Sequence, residues 1–351
     1  MKKRVDWIDT ARFWGMFFIY LGHFADAAGK AFPWVFSFHV PLFFFLSGCV
    51  ENYNRRNVAQ NLWHKVVHTL LPFYVFGLMS IALNVILTDS QESLSVHLRI
   101  LLMGGIRNGI TLGGGLWFLS CLFVIQIAFS IISQIKSRPV VFAVCLGIYL
   151  IAELAVGSLF TLTPHWWYNA DSACYYLIYY CVGWFTFPWI DPLLKPGRPF
   201  PVRMLKVAMT LACLYYSTRL FFGTDLLAPL SGIHPLLRAL CSLVKPLASV
   251  WLVVCVSYLF HGPLSTRIGR NSLYMCGNEY IVKTLVPYAL AMVGLNTVIS
   301  VPVQAYLYSF ALLIVVDRAL VPLEKPLLDR LQAGLSRPGS ASPADAAENQ
   351  R

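Results

Sequence analysis

The sequence is poor in charge. Only 12% of its 351 residues are Asp, Glu, Lys or Arg, about half the share usual in soluble domains. That scarcity excludes a soluble fold of this length, whose surface needs far more polar residues. Acidic residues are the scarcer sign, 16 against 27 basic ones, for a net charge of +11. The excess does not indicate a nucleic-acid surface. Lys and Arg stand in short clusters between apolar runs, the arrangement of topology signals. The nine cysteines make no CxxC or other ligand spacing. Cys145, Cys181, Cys213 and Cys255 lie inside apolar runs, where cysteine serves as a small hydrophobe. Neither a structural disulfide nor a metal site is expected. No internal repeat is visible, which weighs against an inverted-repeat transporter.

Apolar residues are abundant instead, at 58%. They come in runs of about 20, the length that crosses a hydrocarbon core about 30 Å thick. About ten runs qualify, at residues 8–28, 34–50, 67–87, 116–135, 140–160, 173–189, 207–222, 240–260, 273–292 and 298–316. With the N-terminus in the cytoplasm and spans alternating, most of the 27 basic residues fall inside. They include Lys2 to Arg4, Arg55, Arg56, Lys65, Lys136, Arg138, Lys195 to Lys206, Arg267, Arg270 and the C-terminal cluster. The expected fold is an all-α membrane protein of about ten transmembrane helices with both termini cytoplasmic. Residues 1–333 form the membrane domain. Residues 334–351, rich in Ser, Pro, Ala and Gly, form a disordered cytoplasmic tail. Ala25-Asp26-Ala27 resembles a signal-peptide cleavage site, but Asp6, Asp9 and Arg12 interrupt the n-region, and a retained first helix is the simpler expectation. Leu94, Leu98, Leu101 and Leu102 recur at helical spacing in a long outer loop, as in an interfacial helix.

Ionisable residues inside spans are costly, so each is a candidate site. Arg12 and His23 share the first span, eleven positions apart. At about 100° per residue both side chains return to nearly one face, roughly 16 Å apart along the axis. Arg12 is either a snorkelling topology charge or a ligand contact, and His23 either a packing hydrogen bond or a proton carrier. The second span opens on the outer side with Phe38-His39-Val40-Pro41-Leu42-Phe43-Phe44-Phe45-Leu46-Ser47-Gly48. His39 is therefore expected at the depth of His23, where two histidines facing one cavity could share proton transfer. Ser47 and Gly48 are small and suit close helix packing.

The Arg12-to-His23 spacing, the Phe38–Gly48 run, Leu116-Trp117-Phe118-Leu119 and Ile268-Gly269-Arg270-Asn271-Ser272-Leu273-Tyr274 together resemble the acyltransferase 3 family over nearly the whole chain. The His-Val-Pro-Leu-Phe-Phe variant is similar to the fucose 4-O-acetylase-like branch, including exopolysaccharide acetylases. The resemblance implies acyl transfer, often of acetyl from acetyl-CoA, onto hydroxyls of a glycan or lipid-linked saccharide. It implies a multi-pass protein of the bacterial inner membrane, in contact with lipids and with polysaccharide biosynthesis proteins, and without a metal. His23 and His39 would carry the catalysis, Arg12 would grip the phosphates of the donor, and Trp117, Asn278 and Glu279 would meet the acceptor. Relatives often carry a histidine after Ser-Leu in the late segment. Here Glu279 stands near that place with Lys283 one turn on, so the histidine's role does not carry over. Glu279 is either ion-paired with Lys283 or lines the cavity. Trp117 and Phe118, like Trp166 and Trp167 beside His165, are either interfacial anchors or acceptor contacts. Glu153, Arg219 and Lys245 are intramembrane polar residues without an assigned role. Two rival readings share the apolar spans: a transporter or flippase of a lipid-linked sugar, and a non-catalytic subunit of a polysaccharide assembly machine.

Overall fold

The computed structural model describes residues 5–51, 58–87, 94–105, 114–155, 166–295 and 298–336. Among the described residues every regular element is helical. In chain order the α-helices of six or more residues are α1 (Asp6–Gly22), α2 (Ala31–Phe36), α3 (His39–Cys49), α4 (Val58–Lys65), α5 (Leu71–Leu87), α6 (Leu94–Leu102), α7 (Leu116–Ile132), α8 (Arg138–Ala155), α9 (Ala170–Leu194), α10 (Phe200–Phe221), α11 (Pro235–Leu259), α12 (Pro263–Arg270), α13 (Ser272–Met292), α14 (Pro302–Val315) and α15 (Val321–Leu335). Proline opens α11, α12 and α14, where its missing N–H costs nothing. The chain starts α11 with the His234 ring accepting the Leu236 N–H at 3.1 Å.

Among the described residues, four helical stretches are long and apolar enough to cross a membrane: Ala31–Cys49, Val58–Leu87, Pro235–Leu259 and Pro302–Leu335. Helices also occupy the other expected segments, as far as these are described. Two of the four contain a π-helical turn, Val66–Leu70 between α4 and α5 and Val316–Leu320 between α14 and α15. Such turns displace one residue from the helical ladder and are frequent at functional sites. The leucine-spaced segment of the long loop is α6, whose Leu101 is buried. Helix α15 runs to Leu335, past the expected start of the tail. Residues 337–351 and His165 lie outside the described residues.

Helix α1 is central and packs against α3, α11, α12, α13 and α14. Its contact with α12 is backbone to backbone: a Cβ on Gly269 would sit 1.7 Å from the Asp9 carbonyl oxygen. Helices α3 and α9 cross the same way. A Cβ on Gly48 would lie 1.9 Å from the Tyr180 oxygen, and one on Gly183 would lie 2.0 Å from the Phe45 oxygen. Small residues are what allow helices to close up without a hydrophobic drive between them. Neither carbonyl can swing aside without breaking its own helix. Gly183→Ala is therefore expected to cost about 3 kcal/mol through forced separation of α3 and α9. A thermal melt of the detergent-purified protein should show a markedly lowered midpoint; an unchanged midpoint would refute the crossing.

The first helix is shorter than its apolar run. Expected over 8–28, it ends at Gly22, followed by a 3-10 turn at Ala25–Ala28 that Ala25 enters at φ 48°. The second span is broken as well. Ser37 and Phe38 form a turn between α2 and α3, with the Ser37 and Phe38 N–H groups donating to Trp34 and Val35 carbonyls at 3.1 Å each. Pro41 then falls in the first turn of α3, where proline is tolerated.

Candidate active site

His23 is the C-cap of α1, its backbone N–H donating to Ile19 O at 3.1 Å. Ending the helix there leaves the imidazole partly open, while its Nδ1 hydrogen-bonds Glu279 Oε1 of α13. Glu279 is 1% exposed. It also accepts from Lys283 Nζ at 2.9 Å, one turn along α13, and Lys283 donates to Tyr20 O at 3.0 Å. The Lys283 ammonium lies over the Phe24 ring at 4.7 Å. Of the two roles that the sequence left open for Glu279, the pairing with Lys283 is present; Glu279 is not among the residues lining the cavity described below, and its second partner is His23. A buried carboxylate with one imidazole and one ammonium on the same oxygen keeps its charge compensated. With Nδ1 engaged by the carboxylate, Nε2 on the opposite edge of the ring is left to exchange protons.

Gly114 and Gly115 close over this pair. A Cβ on Gly114 would approach His23 Cε1 at 3.4 Å, and one on Gly115 would approach Glu279 Oε2 at 3.2 Å. The Gly115 carbonyl accepts from Cys276 Sγ at 3.5 Å. Backbone without side chains is what lets the loop before α7 reach the dyad.

Below the dyad lies a cavity of about 460 Å³. Along α1 its wall follows Arg12, Met16 and Ile19; the next position on that face is His23. Along α13 the wall rises to Cys276, one turn before Glu279. The middle is apolar, with Phe43, Phe118, Leu119 and Leu122. The far end is polar and mostly basic, with Arg12, Arg270, Lys65, His64 and His68 against one carboxylate, Glu51. Asp9 holds the two arginines, bonding Arg12 at 3.4 Å and Arg270 Nε at 3.3 Å. Glu51 accepts from Lys65 Nζ at 2.7 Å and from the buried Tyr180 hydroxyl.

The other expected site residues are placed elsewhere. His39 is buried, and its Nδ1–H donates to Val35 O at 2.8 Å. It does not line the cavity; the Phe36 ring touches both imidazoles, with centroids 6.0 Å from His23 and 4.9 Å from His39. Neither histidine lines this cavity: His23 lies one turn beyond Ile19, and His39, past the Ser37–Phe38 turn, is bonded to backbone. Trp117 packs on Tyr176 at 6.2 Å, and its neighbour Phe118 lines the cavity instead. Asn278 is fully buried and donates to Glu324 Oε2 at 2.6 Å and to Tyr274 O at 3.1 Å. One residue from Glu279, it is turned about 100° away and ties α13 to α15. Trp166 and Trp167 are exposed, the Trp166 N–H donating to Asp171 Oδ2 at 3.2 Å. Lys245 is ion-paired with Asp225.

Sequence reasoning missed Asp9, treated only as an interruption of a signal peptide's n-region. It also missed α4, which it left between spans. Asn61, His64, Lys65 and His68 all line the cavity. Their i, i+3, i+4, i+7 spacing is a helical face that the sequence displays.

The family model described as an acyltransferase domain, acyltransferase 3, matches residues 5–316, and the chain belongs to that family of membrane acyltransferases. No curated protein matches the chain, and neither does any solved structure.

Proposed function

We propose that the protein is an O-acyltransferase of the bacterial inner membrane that moves an acetyl group from cytoplasmic acetyl-CoA to a hydroxyl of a glycan or lipid-linked saccharide, with His23 as the base. In this reading the chain crosses the membrane about ten times with both ends cytoplasmic. It lies in the fucose 4-O-acetylase-like branch and works beside polysaccharide biosynthesis proteins. The single observation that carries the proposal is the alignment along one face of α1: Arg12, Met16 and Ile19 on the cavity wall, then His23 against Glu279.

The donor has an anionic nucleotide end and a long, uncharged arm ending in a thioester. Arg12, Arg270 and Lys65, with His64 and His68, suit the phosphates; guanidinium groups bind them in a fixed fork. The apolar waist suits the arm, and the roughly 16 Å rise from Arg12 to His23 matches its reach. At the dyad, His23 Nε2 takes the proton of the acceptor hydroxyl, and the oxygen attacks the thioester carbonyl. The C–S bond breaks, and the departing thiolate takes the proton from the imidazolium. Glu279 stabilises that imidazolium without itself being protonated.

Purified protein with radiolabelled acetyl-CoA tests the reading. Label on the saccharide supports it. Gradient-driven sugar flux without label transfer would instead favour a transporter, and normal acetylation after substituting either Arg12 or His23 a non-catalytic subunit. Arg12→Ala is expected to raise the KM for acetyl-CoA about tenfold, the loss of one charge-assisted contact, while the KM for the acceptor stays put. An unchanged donor KM would remove Arg12 from the donor site.

A further inference from the structure

The open side of His23 carries a feature that the reaction as derived does not use. Among residues 34–39, which run from the end of α2 through the turn into α3, Phe36 is the one exposed side chain. Its neighbours are anchored. Val35, Phe38 and His39 are buried, and Trp34 Nε1 donates to Ser217 Oγ at 2.8 Å. The Ser37 hydroxyl donates back to Trp34 O at 2.6 Å. The turn is thus fixed from several directions, and Phe36, 41% exposed, is held out from it.

Exposure of one phenylalanine means little in a membrane protein, where many apolar side chains face lipid. Phe36 differs in its company. Its ring meets the His23 imidazole edge-on at an interplanar angle of 62°, and the His39 imidazole at 68°. Phe32 braces it with centroids 4.9 Å apart. The ring is seated on Gly22, the residue before the base, where a Cβ would come within 3.0 Å of Phe36 Cε2 and 3.1 Å of Val35 Cγ1. A side chain at position 22 would displace the ring, so the missing Cβ brings a flat apolar face beside the base.

We infer that Phe36 is the platform on which the sugar ring of the acceptor lies while His23 takes its proton. The inference rests on the acyltransferase reading above and names a part of that site. A pyranose has an apolar face of C–H bonds and a polar rim of hydroxyls. The C–H face stacks on an aromatic ring, and the rim turns toward the neighbouring imidazole. The offset between the Phe36 face and the His23 ring then selects which rim hydroxyl reaches Nε2. Phe36 is a specificity-determining residue.

The test uses the full-length protein in detergent, radiolabelled acetyl-CoA, and as acceptor the saccharide and glycolipid fraction extracted from a strain lacking the protein. Phe36→Leu keeps apolar bulk but removes the flat face. Its KM for the acceptor is expected to rise about five- to tenfold, the worth of an aromatic stacking contact, while its KM for acetyl-CoA keeps the wild-type value. Phe36→Trp, which keeps a flat face, should return the acceptor KM close to wild type. An acceptor KM within twofold of wild type in Phe36→Leu would overturn the inference and leave the acyltransferase reading intact. So would donor and acceptor KM rising together with a lowered melting midpoint, the mark of a packing role. No transfer by the wild-type protein to this fraction would overturn both.

Discussion

His23→Ala is expected to lower acyl transfer by about 10³-fold, within the range that a positioned general base supplies, with membrane abundance at the wild-type level. Abundance should hold because the variant breaks little. The helix-ending bond from residue 23 to Ile19 O is made by backbone and survives. The side chain is 29% exposed and stands outside the buried core. Glu279 is not stranded, since Lys283 Nζ remains 2.9 Å from Oε1; an unpaired buried carboxylate would otherwise destabilise the bundle by several kcal/mol. Initial rates with radiolabelled acetyl-CoA, beside an immunoblot of the membrane fraction, check both halves. Full activity in His23→Ala would remove the base from the mechanism.

Glu279→Gln is expected to lower kcat by about 10²- to 10³-fold while the KM for acetyl-CoA stays near wild type. The amide occupies the same volume but inverts the hydrogen-bond logic. A carboxylate only accepts, so it fixes the proton on His23 Nδ1 and leaves Nε2 basic. An amide can donate to Nδ1, which favours the tautomer with the proton on Nε2, and it cannot stabilise the imidazolium formed during transfer. Glutamine also leaves the Lys283 ammonium without its carboxylate. Glu279→Gln combined with Lys283→Met removes that imbalance and should recover any lost thermal stability without recovering kcat. Because His23 and Glu279 act as a unit, the His23→Ala and Glu279→Gln effects should not add: the double variant should be about as slow as His23→Ala alone. Multiplicative losses would mean that the two residues serve separate steps.

The parts of this site that the sequence displays are those set by local geometry. Arg12 and His23 lie eleven residues apart on one helix, and the helical period alone aligns them. The partner of His23 is another matter, because Glu279 is 256 positions away and no local rule reports such a contact. Periodicity also cannot say which face of α13 turns toward α1. Asn278 and Glu279 are neighbours in the sequence, yet one meets Glu324 and the other His23. His39 was misplaced for a different reason. Its apolar surroundings read as one continuous span, and a two-residue turn, Ser37–Phe38, turned its ring onto backbone. Helix α4 and the π-helical turn after it were legible and passed over: their four polar residues at helical spacing, Asn61, His64, Lys65 and His68, begin in a mixed stretch that apolar run length does not select. Close crossings were legible only as a tendency. Gly48 marked itself as a packing residue, but its partner, the Tyr180 carbonyl, comes from a distant helix.

The most direct measurement is the O-acetyl content of the surface glycan, by NMR, in a strain lacking the protein and in the same strain carrying the wild-type or the His23→Ala chain. The expected result is acetyl signals restored by the wild-type chain and absent with His23→Ala at equal membrane abundance. Acetyl signals restored equally by both would contradict the assignment of His23 as the base.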